Sequence, residues 1–509
     1  MADDQTFSKT IVPPVGGWNT KDPISNMDPI YSPEILNYFP ADGTVSIRNG
    51  SRKFATMTGG TSNNIRTLAP YSETDGTKWL VAFHLASGGI TPYSVTTGGT
   101  VTDIGGGATF GSNIVHYANF KNLIFFKSDV DTKDVYTWNG TGNVALPGFT
   151  GPSGDDKALR RLCVYKGRLY FAGTDASIWY TEEVGAVTGA LTELDLSTLF
   201  PNGGQVLYIG GLSPNLNNLR EDYFVAISTI GDVLIFTGDY PESAGWNLIG
   251  TYYIGSPVGS RSFFKFQNDT LVITQSGLVS LFAVINGSPL ENSYLTDNIQ
   301  SVYKDLISGL SASASLPLNV NGVYYPAGNY ILINMPTTTS GDFIQLVYNT
   351  INKAWTKFIH QPVAYDFTLF NNNLYYGTSS YHIFQADTGY YDEDPANLTT
   401  ALSRSTKLRC AFNYLEHPDM VKIPTECVPI VYESENLDLT LNCDVDYTDI
   451  TSTSTNTTTG DTSYTIYKPI CGLKANPGRA ISIRLDGTVT TKRRSIQAFE
   501  VRWKEGDIR

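Results

Sequence analysis

The sequence predicts a mainly β protein: a β-propeller body of about six blades with a helix-bearing insertion, followed by a C-terminal β-sandwich-like domain. Three observations carry that expectation. The 509 residues are 12% aromatic but only 16% charged, with 47 Gly, 31 Tyr and 24 Phe. That composition suits short aromatic strands and tight turns, and it argues against helical repeats, coiled coils and disorder. A degenerate unit of an aromatic residue, a Gly/Asn turn and an apolar strand recurs between residues 65 and 392. Past residue 400 that unit gives way to plainly alternating strands such as Leu437–Cys443, Ala480–Leu485 and Ile496–Trp503.

The first element, residues 1–60, reads as an extended arm ending in a hairpin. Pro13, Pro14, Pro23, Pro29, Pro33 and Pro40 exclude a long helix, because each removes a donor and restricts the residue before it. Asp42-Gly43 and Asn49-Gly50 bracket the alternating Thr44–Arg48, and both dipeptides supply the positive φ that tight turns need.

Residues 61–395 read as the propeller. The repeated unit appears as Phe120-Lys-Asn-Leu-Ile-Phe-Phe126, Tyr165-Lys-Gly-Arg-Leu-Tyr-Phe-Ala-Gly173, Phe266-Gln-Asn-Asp-Thr-Leu-Val-Ile273 and Phe370-Asn-Asn-Asn-Leu-Tyr-Tyr-Gly377. Weaker copies are Ile230–Phe236 and Gly328–Ile333. Leu123 and Leu169 lie 46 residues apart, Leu234 and Leu271 37 apart, and Leu332 and Leu374 42 apart. These intervals surround the roughly 40–50 residues of a four-stranded blade, whose two faces are buried only by packing against neighbouring blades. Stacked β-sandwiches are the competing architecture.

An insertion around 290–325 breaks the pattern. Leu295, Ile299, Val302, Tyr303 and Leu306 recur at three and four, which predicts an amphipathic helix over 292–307 capped by Asn292 or Ser293. Such a helix either projects from the rim or packs on a neighbouring strand. The last element, 396–509, reads as a separate β domain, with Thr448–Ser463 as a low-complexity loop or hairpin tip. Charge divides at the same place. Residues 400–509 hold 14 Lys/Arg and 14 Asp/Glu, so the net −13 resides wholly in residues 1–399.

Catalytic motifs are absent. There is no G-x-S-x-G elbow, no H-E-x-x-H pair and no phosphate-binding G-x-x-x-x-G-K-[ST] loop, and His84, His116, His360, His382 and His417 stand alone. Asp129-Val-Asp131-Thr-Lys-Asp134 and Asp444-Val-Asp446-Tyr-Thr-Asp449 lack the Gly and distal Glu of a calcium loop, and so read as solvated turns. No metal or other cofactor is expected. Cys163, Cys410, Cys427, Cys443 and Cys471 show no zinc-like spacing and read as buried free thiols of a protein folded in a reducing cytoplasm. The polar, acidic start Met1–Lys9 does not resemble a secretory signal, and no apolar run approaches the roughly 18–20 residues of a membrane span. The acidic balance lacks the basic excess that drives non-specific DNA binding. Lys492-Arg493-Arg494, near Arg484 and Arg502, is the one compact basic run, readable as an electrostatic contact or as an edge strand guarded by charge.

The arm carries the sharpest signal. Gly16-Gly17-Trp18-Asn19-Thr20-Lys21-Asp22-Pro23, Met27, Asn37-Tyr38-Phe39-Pro40 and Arg48-Asn49-Gly50 resemble the N-terminal pattern of the tail nozzle (tail tubular, or packaged-DNA stabilisation) proteins of short-tailed bacteriophages. Trp18 stands where a small or aliphatic residue is usual in that family. The resemblance implies a structural virion protein, not an enzyme. It implies a homo-hexameric ring in the virion tail, synthesised in the host cytoplasm, fixed below the portal and adaptor and in reach of tail fibres. Such a ring closes the tail channel and opens for DNA ejection, with viral DNA passing through the lumen without specific binding. Six copies would carry −78, and acidic blade loops are expected to face that lumen. Gly16, Gly17, Trp18, Asn37, Phe39 and Pro40 are the candidate docking or fold-closing residues. The competing function is a carbohydrate-binding or glycan-degrading propeller of a tail-associated receptor binder, whose paired carboxylates would leave no local motif.

Overall fold

The aromatic-turn units become hairpins in the computed structural model, because their turn residues adopt the left-handed conformation that tight β-turns require. Lys121 and Asn122 (φ 48° and 58°), Lys166 and Gly167 (42° and 74°) and Asn371 and Asn372 (47° and 64°) each connect an innermost strand to the second strand of its sheet. The structure describes residues 6–506 except 59–63, 87–88, 109, 112–113, 130–131, 152–153, 155, 214, 217–218, 221, 289–293, 311–319, 338–341, 434–436, 449–452, 459–464, 469, 474, 490 and 492.

Seven sheets follow one another along the chain, antiparallel except where Gly17–Trp18 joins the sixth and Asp392–Glu393 joins the seventh in parallel. Their innermost strands are Ile65–Ser72, Val115–Phe120, Leu159–Tyr165, Val206–Leu212, Phe263–Phe266, Asn321–Tyr325 and Ala364–Phe370. Consecutive innermost strands touch around a closed ring. Tyr208 stacks on Phe263 at 4.4 Å between the fourth and fifth, and the last strand lies against the first. The body is therefore a β-propeller, with seven sheets where the length arithmetic expected about six. The first blade, 65–103, turns through Glu73–Thr77 rather than through an aromatic-Asn/Gly unit. Ile230–Phe236 marks the second-to-third strand turn of its blade, so its interval measured a different position. Blade cores hold rings packed edge to face, such as Phe83 with Phe126 at 5.0 Å and Phe149 with Phe171 at 5.3 Å.

The seventh blade is closed by the N-terminal segment. Ser51–Thr56 pairs antiparallel with His382–Ala386 as its fourth strand, so residues from both ends of the propeller share one sheet. Asp42-Gly43 makes the expected hairpin between Tyr38–Ala41 and Thr44–Ile47. Asn49-Gly50 does not make a second one: Thr44–Ile47 joins a C-terminal sheet, whereas Ser51–Thr56 joins the blade.

The insertion packs rather than projects. The helix spans Gln300–Leu310, preceded by a 3₁₀ turn Asp297–Ile299, and so starts later than predicted; Asn292 and Ser293 lie outside the described residues. Ile299, Tyr303, Ile307 and Leu310 are buried with Leu271, Ile273, Ile331 and Trp355. Among the described residues the fifth blade has three strands, Val279 on its outer side bridges Tyr294, and the helix packs on Leu271, Ile273 and Leu278 of that blade and on Ile331 and Trp355 of the sixth. No described helix is long and apolar enough to cross a membrane.

The C-terminal domain is two sheets face to face. One orders Glu34–Leu36, Arg404–Arg409, Ile481–Val489, Leu437–Val445 and Thr453–Thr458. The other is built on Lys422–Glu433 and Arg494–Glu505, with arm strands Thr6–Ile11 and Thr44–Ile47 paired to the latter. Leu408, Leu441, Ile483, Ile496, Phe499 and Trp503 fill the space between them. Within the Thr-rich stretch, Thr453–Thr458 is the second strand of a hairpin with Leu437–Val445, and its flanks lie outside the described residues. Cys410, Cys427, Cys443 and Cys471 are free and buried in this domain, and Cys163 is free and half-buried in the propeller.

Candidate functional site

The residues that carry the sequence resemblance converge on one buried junction between arm, propeller and C-terminal domain. Gly17 (φ 77°) pairs with Trp355 in the sixth blade. A Cβ there would lie 2.4 Å from the Trp355 carbonyl oxygen, so backbone conformation and close approach both require glycine. Gly16 sits against Tyr31 and donates its N–H to the Ile30 carbonyl at 2.7 Å. Trp18 is buried, donates from Nε1 to the Pro33 carbonyl at 3.1 Å, and receives Lys357 Nζ over its ring at 5.3 Å.

Asn37 joins all three parts. Held at φ 57°, a region Asn tolerates, it donates its backbone N–H to the Lys357 carbonyl at 2.8 Å and its Nδ2 to the Ser405 carbonyl at 2.8 Å. Its Oδ1 accepts from the Ile359 N–H at 2.9 Å and from Arg48 Nε at 3.1 Å. Half-buried Phe39 packs on Tyr330 and Phe358, and the Pro40 carbonyl accepts from Asn349 Nδ2 at 2.8 Å. All six candidates make contacts within their own chain, in an arm that lies along its own propeller and sandwich.

Arg48 is the centre of the junction. Its remaining donors reach the Asn49 carbonyl at 2.9 Å, the Ile359 carbonyl at 2.7 Å and both carboxylate oxygens of Asp392 at 3.1 and 2.5 Å. Both partners are almost wholly removed from water, with side chains 2% and 0% exposed, and Ser51 Oγ also donates to Asp392 at 2.8 Å. Gly50 is needed because the Tyr391 backbone passes so close that a Cβ would lie 1.9 Å from its carbonyl oxygen.

A second constellation lies on the propeller axis, where all seven innermost strands line a cavity of about 340 Å³. His116, on the lining, has its Nε2 2.9 Å from Oδ1 of Asp129 behind the wall, and Ser260 Oγ donates to Asp129 Oδ2 at 2.7 Å. Arg261 pairs with fully buried Asp366, which also accepts from Asn321 Nδ2 and from the Leu68 N–H. Burial pushes His116 down to about 4, helped by Arg161, so it is neutral near pH 7. Burial alone would raise Asp129, but His116, Arg161 and the Ser260 hydroxyl hold it well below the usual carboxylate range. Asp129 is therefore a largely enclosed, partnered carboxylate, its side chain 12% exposed, rather than a solvated turn residue. Sequence reasoning missed this cluster because its members come from different blades, with no local spacing to betray them.

The remaining sequence candidates have structural roles. Asp444 is buried between Arg409 at 3.1 Å and Arg484 at 3.2 Å, and Asp446 Oδ1 accepts the backbone N–H groups of Arg479 and Ala480. Asp131 and Asp449 lie outside the described residues. No group of three or more His, Cys, Asp or Glu among the described residues is arranged to hold a metal ion. Arg494 is buried and begins a strand paired on both sides, so the basic run does not guard a sheet edge; Lys492 lies outside the described residues. Arg502 is paired with Glu426 and Glu500.

No family model matches the chain, and no curated protein matches it. Among solved structures, a streptogramin B lyase is similar at 10% identity, with 66% of this chain and 96% of that chain covered and a TM-score of 0.41. BamB from Moraxella catarrhalis is similar at 12% identity, covering 67% and 95%, with a TM-score of 0.34. The computationally designed Ika8 protein is similar at 13% identity, covering 66% and 99%, with a TM-score of 0.36.

Proposed function

We propose that the chain is a structural protein of a short-tailed phage virion, forming the tail nozzle ring that closes the DNA channel below portal and adaptor and opens for ejection. The observation that supports this reading is the junction itself. The arm residues that resemble the nozzle pattern are buried together, and they tie propeller and C-terminal domain to one another through Asn37 and the Arg48–Asp392 pair. A subunit that holds back packaged DNA needs a stiff connection between its parts, and a fully satisfied buried polar network supplies stiffness.

The nozzle lumen in this reading lies between subunits and is distinct from the narrow axial cavity within each propeller. Acidic residues of the propeller face the lumen, because Lys/Arg contacts to phosphates would add binding free energy and resist sliding. Size-exclusion mass and negative-stain images of the protein, alone and with the portal and adaptor of its phage, test the proposal. Hollow rings of identical subunits are the expected result. A stable monomer that releases sugar from host glycans would overturn it in favour of a glycan-degrading propeller.

A further inference from the structure

Among the described residues, the axial cavity is lined by three cationic side chains, Arg161, Arg261 and Lys265, and by no carboxylate. This is unexpected in a chain of net charge −13 whose acidity is concentrated in the arm and propeller. The two nearby carboxylates stand behind the lining with their oxygens already engaged: Asp366 with Arg261, Asn321 and Leu68, and Asp129 with His116 and Ser260.

Arg161 is the unusual member. The residue is 8% exposed, and its Nε is buried without an acceptor. Among the described residues its guanidinium makes no hydrogen bond and no direct ion pair, and Asp129, engaged with His116 and Ser260, acts on it only through its charge. What fixes it is aromatic: the guanidinium carbon lies 5.3 Å from the Phe263 ring centroid and 5.9 Å from that of Tyr208. These contacts orient the planar fork without using its donors. A buried guanidinium with unused donors is costly unless something supplies acceptors. Access exists as well. A second cavity of about 650 Å³ shares Tyr117, Leu162, Tyr208 and Lys265 with the first and lies toward the ends of the second to fifth innermost strands.

We propose that the propeller axis is a binding site for a small oxyanion of the phosphate class, with Arg161 as its principal donor and Arg261 and Lys265 supplying the surrounding positive field. The fork geometry of arginine matches tetrahedral oxyanions through paired N–H donors. The volume lies at the small end of ligand sites, sufficient for free phosphate or a short phosphate monoester and too small for a nucleic-acid strand to thread. The inference does not depend on the nozzle reading.

The test is titration of the purified full chain with inorganic phosphate and, separately, glycerol 3-phosphate, by calorimetry and thermal melting, with sodium chloride at matched ionic strength as reference. Saturable binding and a rise in Tm beyond the chloride reference are expected. Arg161→Met is expected to weaken binding by roughly 10- to 100-fold, the range for losing a hydrogen bond to a charged group. Tight binding of inorganic phosphate identifies the free ion as the ligand; binding of the monoester alone identifies an esterified phosphate. Arg161→Lys covers the case in which the Met variant does not fold; it keeps the charge but not the fork, and should bind more weakly than wild type. No phosphate-specific effect, or equal affinity in wild type and the Arg161 variants, would overturn the proposal.

Discussion

Replacing Arg48 by Met should loosen the junction more than any other single change of similar volume. All five N–H donors of Arg48 are used, and two of them neutralise Asp392, whose side chain is fully buried. Met keeps most of the length and apolar stem but leaves Asp392 with the Ser51 hydroxyl as its remaining hydrogen bond and Arg404 as the nearby positive charge. Removing one partner of a buried ion pair costs about 3–5 kcal/mol, and the acceptor orphaned at Ile359 adds about 1 kcal/mol, whereas the Asn49 carbonyl keeps Arg404 Nη1 at 3.3 Å. A loss of about 4–6 kcal/mol is expected. Urea unfolding followed by tryptophan fluorescence reads it, and a cycle with Asp392→Asn isolates the pair. The double variant should recover about 2 kcal/mol relative to the sum of the singles, because the uncompensated charge is gone. An Arg48→Met variant within about 1 kcal/mol of wild type, or strictly additive singles, would refute the reasoning.

Glycine substitutions should separate close approach from turn conformation. Gly50→Ala drives a Cβ into the Tyr391 backbone and should prevent correct closure. Gly43→Ala, at φ 70° with open space around it, should cost only about 1 kcal/mol by urea unfolding; equal effects would contradict the geometry. Deleting residues 1–40 removes Thr6–Ile11 and Glu34–Leu36 from the two C-terminal sheets, so aggregation or rapid proteolysis is expected, and a monodisperse protein with unchanged assembly would count against the junction. The His116 and His382 imidazoles should titrate near pH 4 by NMR, since burial opposes their charging, helped by Arg161 and Lys53 respectively. Their folded pKa lies below the unfolded value of about 6.5, so their contribution to stability is complete above that pH and is lost as pH falls toward 4; midpoints near 6.5 would contradict it. Burial pushes the Cys163 thiol up to about 12, and the other four cysteines are buried. A thiol reagent at pH 8 should therefore react slowly with native protein and find five thiols after unfolding; fewer than five would reveal a disulfide.

The strand-rich class was legible because aromatic strands and left-handed turn residues are local properties, written within ten residues at Phe120–Phe126 or Phe370–Gly377. The number of blades was not, because the first blade lacks the turn unit and Ile230–Phe236 sits one strand later in its blade. The helix was legible from its apolar spacing, but its start was set by the docked arm: the Thr20 N–H donates to the Asn298 carbonyl at 2.8 Å, and Lys21 pairs with Asp297 at 2.6 Å. The arm motif marked the right residues, while their partners, Trp355, Lys357, Asp392 and Ser405, lie more than three hundred positions away. Asn49-Gly50 shows the limit of turn chemistry. The pair looks like a hairpin, yet Gly50 is required by the Tyr391 backbone beside it. The axial cluster has no sequence signature: one hairpin joins His116 to Asp129, but only closure of the ring brings that pair to Arg161, Ser260, Arg261 and Asp366.

Imaging the assembled protein on the tail of its virion, at a resolution that shows side chains along the channel, tests the nozzle reading most directly. A ring of identical subunits below portal and adaptor is expected, with the arm junction intact inside each subunit and acidic side chains facing the lumen. Isolated monomers at the tail periphery, or a lumen lined mainly by Lys and Arg, would contradict it.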